Sequence, residues 1–350
     1  MKKYFLLACA FCVFGVADAA TIQFSSPDKK LQVTVADDGG RPTYRVVCGE
    51  TVFLEQSPLG LLTNIGDFSQ GMTLQESSFS SSPVSGHYEL PTIKRSKVDV
   101  RATKAVCPFY KDGKHIFDVV FHVSDHDVAF KYKMYPQGNT LCCVVKEETT
   151  GFVLPQGTTT FLCPQAGPMG GFARTSPSYE TSYTADGEMG KNGWGNGYTF
   201  PCLFRTGNKG WVLISETGVD SRYCASRLMG KDGGLYTIGF PQEGEYNGNG
   251  TACPGIALPG ETPWRTVTVG QTLAPIVETT IPYDVVEPLY EPSCRYVYGR
   301  GTWSWIIAGD NSMNYDEQKR YVDFAADMGY ESVLVDAWWD SRVGYERTAE

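Results

Sequence analysis

The sequence predicts a mainly β protein, in which a large antiparallel β-super-sandwich precedes the first βαβ unit of an incomplete (β/α)8 TIM barrel. Two observations support this fold class. Between residues 20 and 280, short alternating or apolar segments follow one another between Gly-, Asn- and Asp-containing turns, and helical periodicity is almost absent. Residues 299–350 instead contain two apolar segments on either side of an amphipathic helix, which is typical of a βαβ unit.

Residues 1–19 are predicted to be a cleavable signal peptide. Two lysines precede the apolar residues 4–16, and a small-x-small motif at residues 17–19 provides a cleavage site. The apolar segment is shorter than the ~20 residues that a transmembrane helix needs. A lipoprotein signal at Cys9 is the alternative, but it would leave almost no apolar segment before the cleavage site. We therefore expect a periplasmic or secreted protein with no membrane partner.

The charge balance argues against nucleic acid as a partner. The chain has 30 Lys and Arg against 39 Asp and Glu, a formal net charge of -9, and lacks the basic excess of nucleic-acid-binding proteins. Of the 11 cysteines, the two in the signal peptide are removed, so the remaining odd number leaves at least one thiol unpaired. Small buried side chains are the expected role of most of these cysteines. The oligomeric state stays open.

The predicted super-sandwich domain covers residues 20–280, and a proline-containing linker is predicted at 281–298. The clearest strands of the domain lie at 31–35, 116–123, 128–134, 210–216 and 265–270. Alternation places four residues of the third strand on one face: Val128, Phe130, Tyr132 and Met134. The domain is much longer than the roughly 100 residues of an immunoglobulin domain, so two large packed sheets are expected.

Residues 167–197 interrupt the strand pattern of the sandwich domain. This segment is rich in Gly, Ser and Tyr and has no clear periodicity. A segment of this length inside a compact domain is usually either a functional loop or a disordered one. The aromatic residues and the carboxylate of Glu180 favour a functional loop, and a solvated glutamate is the alternative for Glu180.

The helix of the βαβ unit is predicted over residues 314–329. Its apolar residues recur at i, i+3, i+4 and i+7: Tyr321, Phe324, Ala325 and Met328. Asn314 can cap the helix with Glu317 in a capping box, and Gly329 ends it. Within the flanking apolar segments, residues 302–307 and 332–335 are predicted to be parallel strands. The carboxyl ends of such strands are where α/β barrels hold their chemistry.

Seven sequence blocks occur in a characteristic order along the chain. They are residues 127–132 (DVAFKY), 148–152 (ETTGF), 179–180 (YE), 214–218 (ISETG), 262–265 (TPWR), 303–305 (WSW) and 321–329 (YVDFAADMG). Together they resemble glycoside hydrolase family 97, a family of bacterial exo-acting α-glycosidases that includes α-glucosidases and α-galactosidases.

The resemblance implies a super-sandwich, a catalytic (β/α)8 barrel, a small C-terminal β-domain and one Ca2+ ion in the active site. It implies that Glu180 is a carboxylate ligand of that calcium, which binds six to eight oxygen ligands. Because a barrel takes ~250 residues, we expect this chain to be the N-terminal part of a longer enzyme. The catalytic carboxylates are then expected beyond residue 350, and this part alone is expected to be inactive.

Four residues of the βαβ unit are expected to bind substrate: Trp303, Trp305, Asp336 and Trp338. Indole rings can pack against the apolar face of a pyranose, and strand alternation predicts that Trp303 and Trp305 face the same way. Core packing is the alternative for this pair. Asp336 follows the second strand and is expected to hydrogen-bond a sugar hydroxyl or to orient another catalytic group. A cap for the next segment or an arginine partner is the alternative.

The expected function is calcium-dependent hydrolysis of an oligosaccharide or α-glycoside in glycan breakdown. The alternative is a non-catalytic carbohydrate-binding β-sandwich protein, although a binding module has no need of the βαβ unit. Glu216 and Arg265 also match the family. Each adjoins a sandwich strand, so a structural salt bridge or a domain contact is expected there rather than catalysis.

Overall fold

The computed structural model describes residues 19–165, 182–241, 245, 252–290, 293–294 and 296–336. The chain divides into two compact units, the first ending at Glu287 and the second beginning at Pro288. Strands dominate the described residues, which confirms the predicted mainly β fold. The predicted signal peptide lies outside the described residues, apart from Ala19. In the part of the chain that the structure describes, no helix has the length and apolar character to cross a membrane.

A ten-stranded antiparallel sheet is the largest element of the first unit. Its strands are β6 (Thr73–Leu74), β7 (Ser80–Glu89), β8 (Lys97–Lys111), β9 (Lys114–Val123), β10 (Asp127–Met134), β13 (Thr158–Phe161), β14 (Cys202–Thr206), β15 (Gly210–Thr217), β19 (Gly260–Glu261) and β20 (Trp264–Gly270). They pair in the order β13-β14-β15-β20-β10-β9-β8-β6, with β19 added to β10 and β7 added to β8.

Three smaller sheets complete the first unit. The strands of a four-stranded sheet are β1 (Thr21–Ser25), β2 (Leu31–Ala36), β3 (Thr43–Cys48) and β4 (Thr51–Pro58). One three-stranded sheet contains β5 (Leu61–Thr63), β11 (Cys142–Glu148) and β18 (Gly255–Ala257). The other contains β12 (Gly151–Val153), β16 (Arg227–Gly230) and β17 (Leu235–Gly239).

One hydrophobic core joins the ten-stranded sheet to the smaller sheets. Four alternate residues of β10 are at most 1% exposed, as their spacing predicts: Val128, Phe130, Tyr132 and Met134. Aromatic rings meet across the sandwich, with ring centroids 5.2 Å apart for Phe24 and Phe121 and 5.0 Å apart for Tyr44 and Phe130. Each such pair adds about 0.5–1.5 kcal/mol to the stabilisation from buried area.

Two short helices, α1 (Ala274–Glu278) and α2 (Ile281–Val285), end the first unit. Ile281 is only 2% exposed, and the hydroxyl of Tyr88 donates a 2.6 Å hydrogen bond to Asp284. Because of these contacts, residues 281–287 belong to the compact first unit, whereas the sequence placed the start of the linker at residue 281.

The second unit is built from β21 (Gly301–Trp303), α3 (Trp305–Ala308), α4 (Tyr315–Asp327) and β22 (Ser332–Leu334). β21 and β22 are parallel, as the βαβ pattern predicts. Oδ1 of Asn314 accepts a hydrogen bond from the backbone N–H of Glu317 at 3.1 Å, which confirms the predicted cap. The second bond of the predicted capping box is not formed: the backbone N–H of Asn314 donates to the backbone oxygen of Ser312 at 2.9 Å, and the carboxylate of Glu317 accepts from Arg320 at 2.7 and 2.9 Å instead.

The thiols range from buried through half-buried to exposed. Cys107, Cys143 and Cys202 are buried, whereas Cys142 and Cys294 are exposed. The adjacent Cys142 and Cys143 point to opposite faces of β11, as strand geometry requires. Burial raises the pKa of Cys143 to about 11 and raises the pKa of Cys202 as well.

We expect brief iodoacetamide treatment at pH 8 to label Cys142 and Cys294 and to leave Cys143 unmodified. The thiolate is the reactive form, and a thiol with a raised pKa stays protonated until the pH approaches that value. Raising the pH to 9 should therefore add no label at Cys143. Peptide mapping by tandem mass spectrometry separates the two neighbouring thiols, and equal labelling of both would contradict the prediction.

Candidate functional site

Two predicted site residues meet at the carboxyl ends of the parallel strands. Trp303 is the last residue of β21, and Asp336 lies two residues beyond the end of β22. The indole Nε1 of Trp303 donates a hydrogen bond to Oδ2 of Asp336 at 2.6 Å. This bond fixes the indole plane relative to the carboxylate, and a carboxylate has about four lone-pair sites with which to accept hydrogen bonds.

Trp305 lies beside Trp303, but on a helix rather than on the predicted strand. The predicted strand over residues 302–307 is wrong beyond Trp303, because Trp305 begins helix α3 and strand alternation does not apply to it. The two indole rings are nevertheless stacked, with centroids 6.2 Å apart and planes 17° from parallel. Nε1 of Trp305 donates to Oδ1 of Asp310 at 2.9 Å.

A buried polar cluster explains why the chain leaves the strand between the two tryptophans. The hydroxyl of Ser304, which is 1% exposed, donates to Oγ of Ser312 at 2.9 Å. Nε2 of Gln318 donates to Oγ of Ser304 at 2.6 Å and to the backbone oxygen of Ser312 at 2.9 Å. Gln318 lies on α4, so this helix holds the turn and thereby the spacing of the indoles.

The group formed by Trp303, Trp305 and Asp336 is suited to binding a sugar ring. Both indoles are partly exposed, so each can offer ring surface to a ligand. Pocket sites commonly combine such aromatic surface with a few polar groups that fix orientation. The indoles would pack against the C–H face of a pyranose, and the carboxylate would accept a hydrogen bond from a hydroxyl.

The other two predicted site residues, Glu180 and Trp338, lie outside the described residues. Among the residues that the structure describes, no group of three or more His, Cys, Asp or Glu side chains is placed to hold a metal ion. The calcium site therefore stays a prediction.

Glu216 and Arg265 form the salt bridge that their positions predict, in the core of the first unit. Nη1 of the fully buried Arg265 donates to Oε2 of Glu216. Nε and Nη2 donate to the two carboxylate oxygens of Glu148 at 2.8 and 2.6 Å, a bidentate arrangement. The hydroxyl of Tyr223 donates to Glu148 at 2.9 Å, and the backbone N–H of Ser226 donates to Glu216 at 2.9 Å. We call Glu148, Glu216 and Arg265 the buried charge cluster.

The electrostatics of the buried charge cluster indicate a structural role. Burial by itself would lower the pKa of Arg265, but the carboxylates of Glu148 and Glu216 outweigh it and hold that pKa above its ordinary value. Burial raises the pKa of Tyr223, and the charge of Glu148 raises it further. Neither group changes protonation near neutral pH, so neither can exchange a proton with a substrate.

Sequence reasoning missed two features of the first unit. Glu148 was not paired with Arg265, because the two residues are 117 positions apart and no local pattern links them. A pocket of about 310 Å³ beside Trp194 and Tyr183 was also missed. Both aromatic residues fall in the segment 167–197, whose irregular composition was the available signal.

A super-sandwich joined to a parallel strand–helix–strand unit, with tryptophans and a carboxylate at the strand ends, is typical of carbohydrate-active enzymes. The chain belongs to glycoside hydrolase family 97, since the profile of the glycosyl-hydrolase 97 N-terminal domain matches residues 24–288. The resemblance drawn from the seven sequence blocks is confirmed.

The curated relatives are glycoside hydrolases. Over 319 residues, the chain is 31% identical to a probable retaining α-galactosidase of Streptomyces bingchenggensis (strain BCW-1), covering 90% of this chain and 45% of the relative. Over 367 residues, it is 23% identical to a retaining α-galactosidase of Bacteroides thetaiotaomicron (strain ATCC 29148), covering 97% of this chain and 53% of the relative. The chain thus spans about half the length of the curated relatives it matches.

Solved structures share the fold. The crystal structure of a β-arabinopyranosidase superposes with a TM-score of 0.85 at 52% identity, over 93% of this chain and 52% of that one. A glycoside hydrolase family 97 enzyme from Pseudoalteromonas sp. strain K8, in complex with panose, superposes with a TM-score of 0.70 at 20% identity, over 91% of this chain and 47% of that one.

Proposed function

We propose that this chain supplies the super-sandwich and the beginning of the catalytic barrel of an exo-acting, calcium-dependent α-glycoside hydrolase. The hydrogen bond of Trp303 to Asp336 carries this proposal, because it places an aromatic surface and a carboxylate at the carboxyl ends of parallel strands. Membership of the family supports it, and so does the finding that this chain covers about half the length of each curated relative. The catalytic carboxylates are proposed to lie on later barrel strands of the longer enzyme.

The proposed substrate is a pyranoside with the ring configuration of an α-galactoside. Two relatives are named α-galactosidases, and a structural neighbour is named a β-arabinopyranosidase. In the L series, a β-arabinopyranoside has the same configuration from C1 to C4 as an α-D-galactopyranoside and lacks only the hydroxymethyl group on C5. One site can therefore accept both sugars, whereas an α-glucoside differs at C4.

The proposed stereochemical course is retention, the course that the names of both curated relatives give. Retention requires two carboxyl groups about 5–5.5 Å apart, one of which becomes the covalent nucleophile. In this scheme Trp303 and Asp336 bind and orient the sugar and take no part in bond breaking. Glu180 is proposed as one calcium ligand, and bound calcium would supply charge stabilisation at the substrate.

The proposal is tested with the longer enzyme, in which this chain is joined to a complete barrel. The assay measures hydrolysis of p-nitrophenyl glycosides. We expect kcat/KM for the α-D-galactoside and the β-L-arabinopyranoside to exceed that for the α-D-glucoside by about tenfold or more, because a site built to bind one hydroxyl rejects its epimer. EDTA should abolish activity and Ca2+ should restore it. Proton NMR should show that the sugar product, when first formed, has the same anomeric configuration as the substrate.

Each contrary outcome points to a different alternative. Preference for the α-glucoside would favour an α-glucosidase. Inversion would require a different spacing of the carboxyl groups. Sugar binding without hydrolysis of any glycoside would leave the non-catalytic carbohydrate-binding protein as the better description, and activity that is unaffected by EDTA would remove calcium from the proposal.

A further inference from the structure

The pocket of about 310 Å³ in the first unit has two exposed aromatic rings on its rim. Trp194 is 64% exposed and Tyr183 is 57% exposed. Single exposed aromatic residues are ordinary on protein surfaces, but two that border the same pocket are a feature of ligand sites. None of the residues proposed to bind substrate in the second unit belongs to this pocket.

The turn that carries Trp194 is held in one conformation. The backbone oxygen of Asn192 accepts a hydrogen bond from the N–H of Gly195 at 2.9 Å, and its side-chain Oδ1 accepts one from the N–H of Gly230 at 3.2 Å. Gly193 has a φ of +54°, and a Cβ at this position would lie only 2.8 Å from a proline carbon. The indole is therefore presented on a fixed backbone, so that little conformational entropy is lost when a ligand binds.

Tyr183, the second aromatic residue that lines the pocket, lies near the large sheet. Its ring centroid lies 6.5 Å from that of Phe161, on edge strand β13 of the large sheet. Thr160, the neighbour of Phe161, exchanges two backbone hydrogen bonds of 2.9 Å with Gly187. These bonds tie the segment that follows Tyr183 to the sheet.

The polar groups of the pocket favour an uncharged, hydroxyl-rich ligand. Glu188 and Lys191 form an ion pair of 3.4 Å on the rim, and their charges cancel. Among the described residues that line the pocket, no other charged side chain is present to favour a phosphate or a charged peptide. A pyranose, in contrast, has a C–H face for an aromatic ring and hydroxyls that can exchange hydrogen bonds with a carboxylate, an ammonium group and the hydroxyl of Thr160.

We propose that this pocket is a second glycan-binding subsite, in which one pyranose ring stacks on Trp194 and contacts Tyr183. Hydroxyls of that ring bond Glu188 and Lys191. The inference rests on the proposed function only for the class of ligand. It deepens that function because it assigns the sandwich domain a direct role in binding a glycosyl unit. Trp and Tyr suit this role because they bring large contact area with few rotatable bonds.

The test uses melibiose and methyl α-D-galactopyranoside, with the open-chain alditol galactitol as a control that has no pyranose ring. Binding is measured by isothermal titration calorimetry on the chain and on Trp194→Ala, Tyr183→Ala, Trp303→Ala and Tyr283→Ala. Tyr283 is 49% exposed on α2 and lies outside the pocket, so it is the matched control for loss of an exposed ring. We expect Trp194→Ala to weaken melibiose binding by about tenfold or more.

A second measurement is independent of the variants. N-bromosuccinimide oxidises exposed indoles, and peptide mapping reports each tryptophan separately. Saturating melibiose should protect Trp194, and galactitol should not. Equal binding by Trp194→Ala and the Tyr283→Ala control, or unchanged oxidation of Trp194 at saturating melibiose, would overturn the subsite.

The subsite and the proposed function can fail separately. If Trp303→Ala abolishes melibiose binding and Trp194→Ala does not, the subsite is wrong and the sugar site of the second unit stands. If Trp194 is protected but the enzyme with its complete barrel hydrolyses no α-glycoside, the subsite stands and the hydrolase proposal fails.

Discussion

Replacing Arg265 by methionine should lower the free energy of unfolding by about 3–5 kcal/mol. The side chain of Arg265 is fully buried and bonds both Glu148 and Glu216. Without the guanidinium, two carboxylates would be left in the core with no compensating charge. Equilibrium unfolding in urea, followed by circular dichroism, measures the loss.

Two comparisons separate loss of the buried charge from loss of an arginine in general. Arg222→Met removes an arginine that pairs with Asp220 on the surface, where its side chain is 83% exposed, and little change is expected. Arg265→Lys keeps the charge but cannot bond a carboxylate with a planar fork, so an intermediate loss is expected. A loss for Arg265→Met no larger than that for Arg222→Met would show that the cluster is not important for stability.

A variant that neutralises the whole buried charge cluster adds a further check. Combining Arg265→Met with Glu148→Gln and Glu216→Gln also neutralises the two carboxylates that Arg265→Met alone would leave without a compensating charge. Stability should then recover in part relative to Arg265→Met alone, because the cost of breaking a buried ion pair comes mainly from the charge that is left behind. Additional loss would instead mean that shape and hydrogen bonding dominate at this site.

Local patterns predicted the elements whose residues are close in sequence. Alternation along β10 identified four core residues because a strand repeats every two residues and one of its faces is buried. Asn314 marked the start of α4 because the cap and its partner, Glu317, are three positions apart. Such signals depend on backbone geometry alone, and tertiary contacts did not alter them here.

Features that depend on distant residues could not be predicted in the same way. The end of β21 at Trp303 is set by Gln318, which lies 14 positions after Ser304 and bonds its hydroxyl. The partners of Arg265 are 49 and 117 positions away, on other strands of the sandwich. The pairing of Trp303 with Asp336 spans 33 positions, and only the order of strand, helix and strand indicated that the two could meet.

Periodicity identified the apolar face of α4 but not how much of it is covered. Ala325 is buried, as predicted, whereas Phe324 is 51% and Met328 is 50% exposed. A period of 3.6 residues shows which side chains share a face. Whether another element packs on that face depends on residues elsewhere in the chain. The exposed part of this face therefore bears on the stability of the second unit.

Limited proteolysis with chymotrypsin should remove the second unit rapidly and leave the first unit intact. The expected first cut follows Tyr298, which is 65% exposed, with Tyr296 as a neighbouring site. The first unit has one continuous core across its sheets, whereas the parallel pair β21–β22 has only three residues in each strand. Gel electrophoresis with intact-mass analysis should show a stable fragment that ends near Tyr298.

The internal control is Tyr183, which is 57% exposed in the first unit but precedes a segment that two backbone hydrogen bonds of Gly187 tie to the large sheet. Exposure alone would make it as sensitive as Tyr298, so slower cleavage at Tyr183 would show that local opening decides the rate. Changing Tyr296 and Tyr298 to serine should move the cut to later residues of the second unit without protecting it. A second unit that survives as long as the first would contradict the prediction.

The physical reason for this sensitivity is that parallel strands are stable when both faces of their sheet are covered. In the second unit, Leu334 is 50% exposed at the end of β22, and Ile307 is 79% exposed on α3. These apolar side chains gain stability only when another element buries them, at about 25 cal/mol for each Å² removed from water. Under the proposed function, the later strands and helices of the barrel cover them. The same enzyme with its complete barrel should therefore resist the cut after Tyr298, and sensitivity that persists there would count against the proposal.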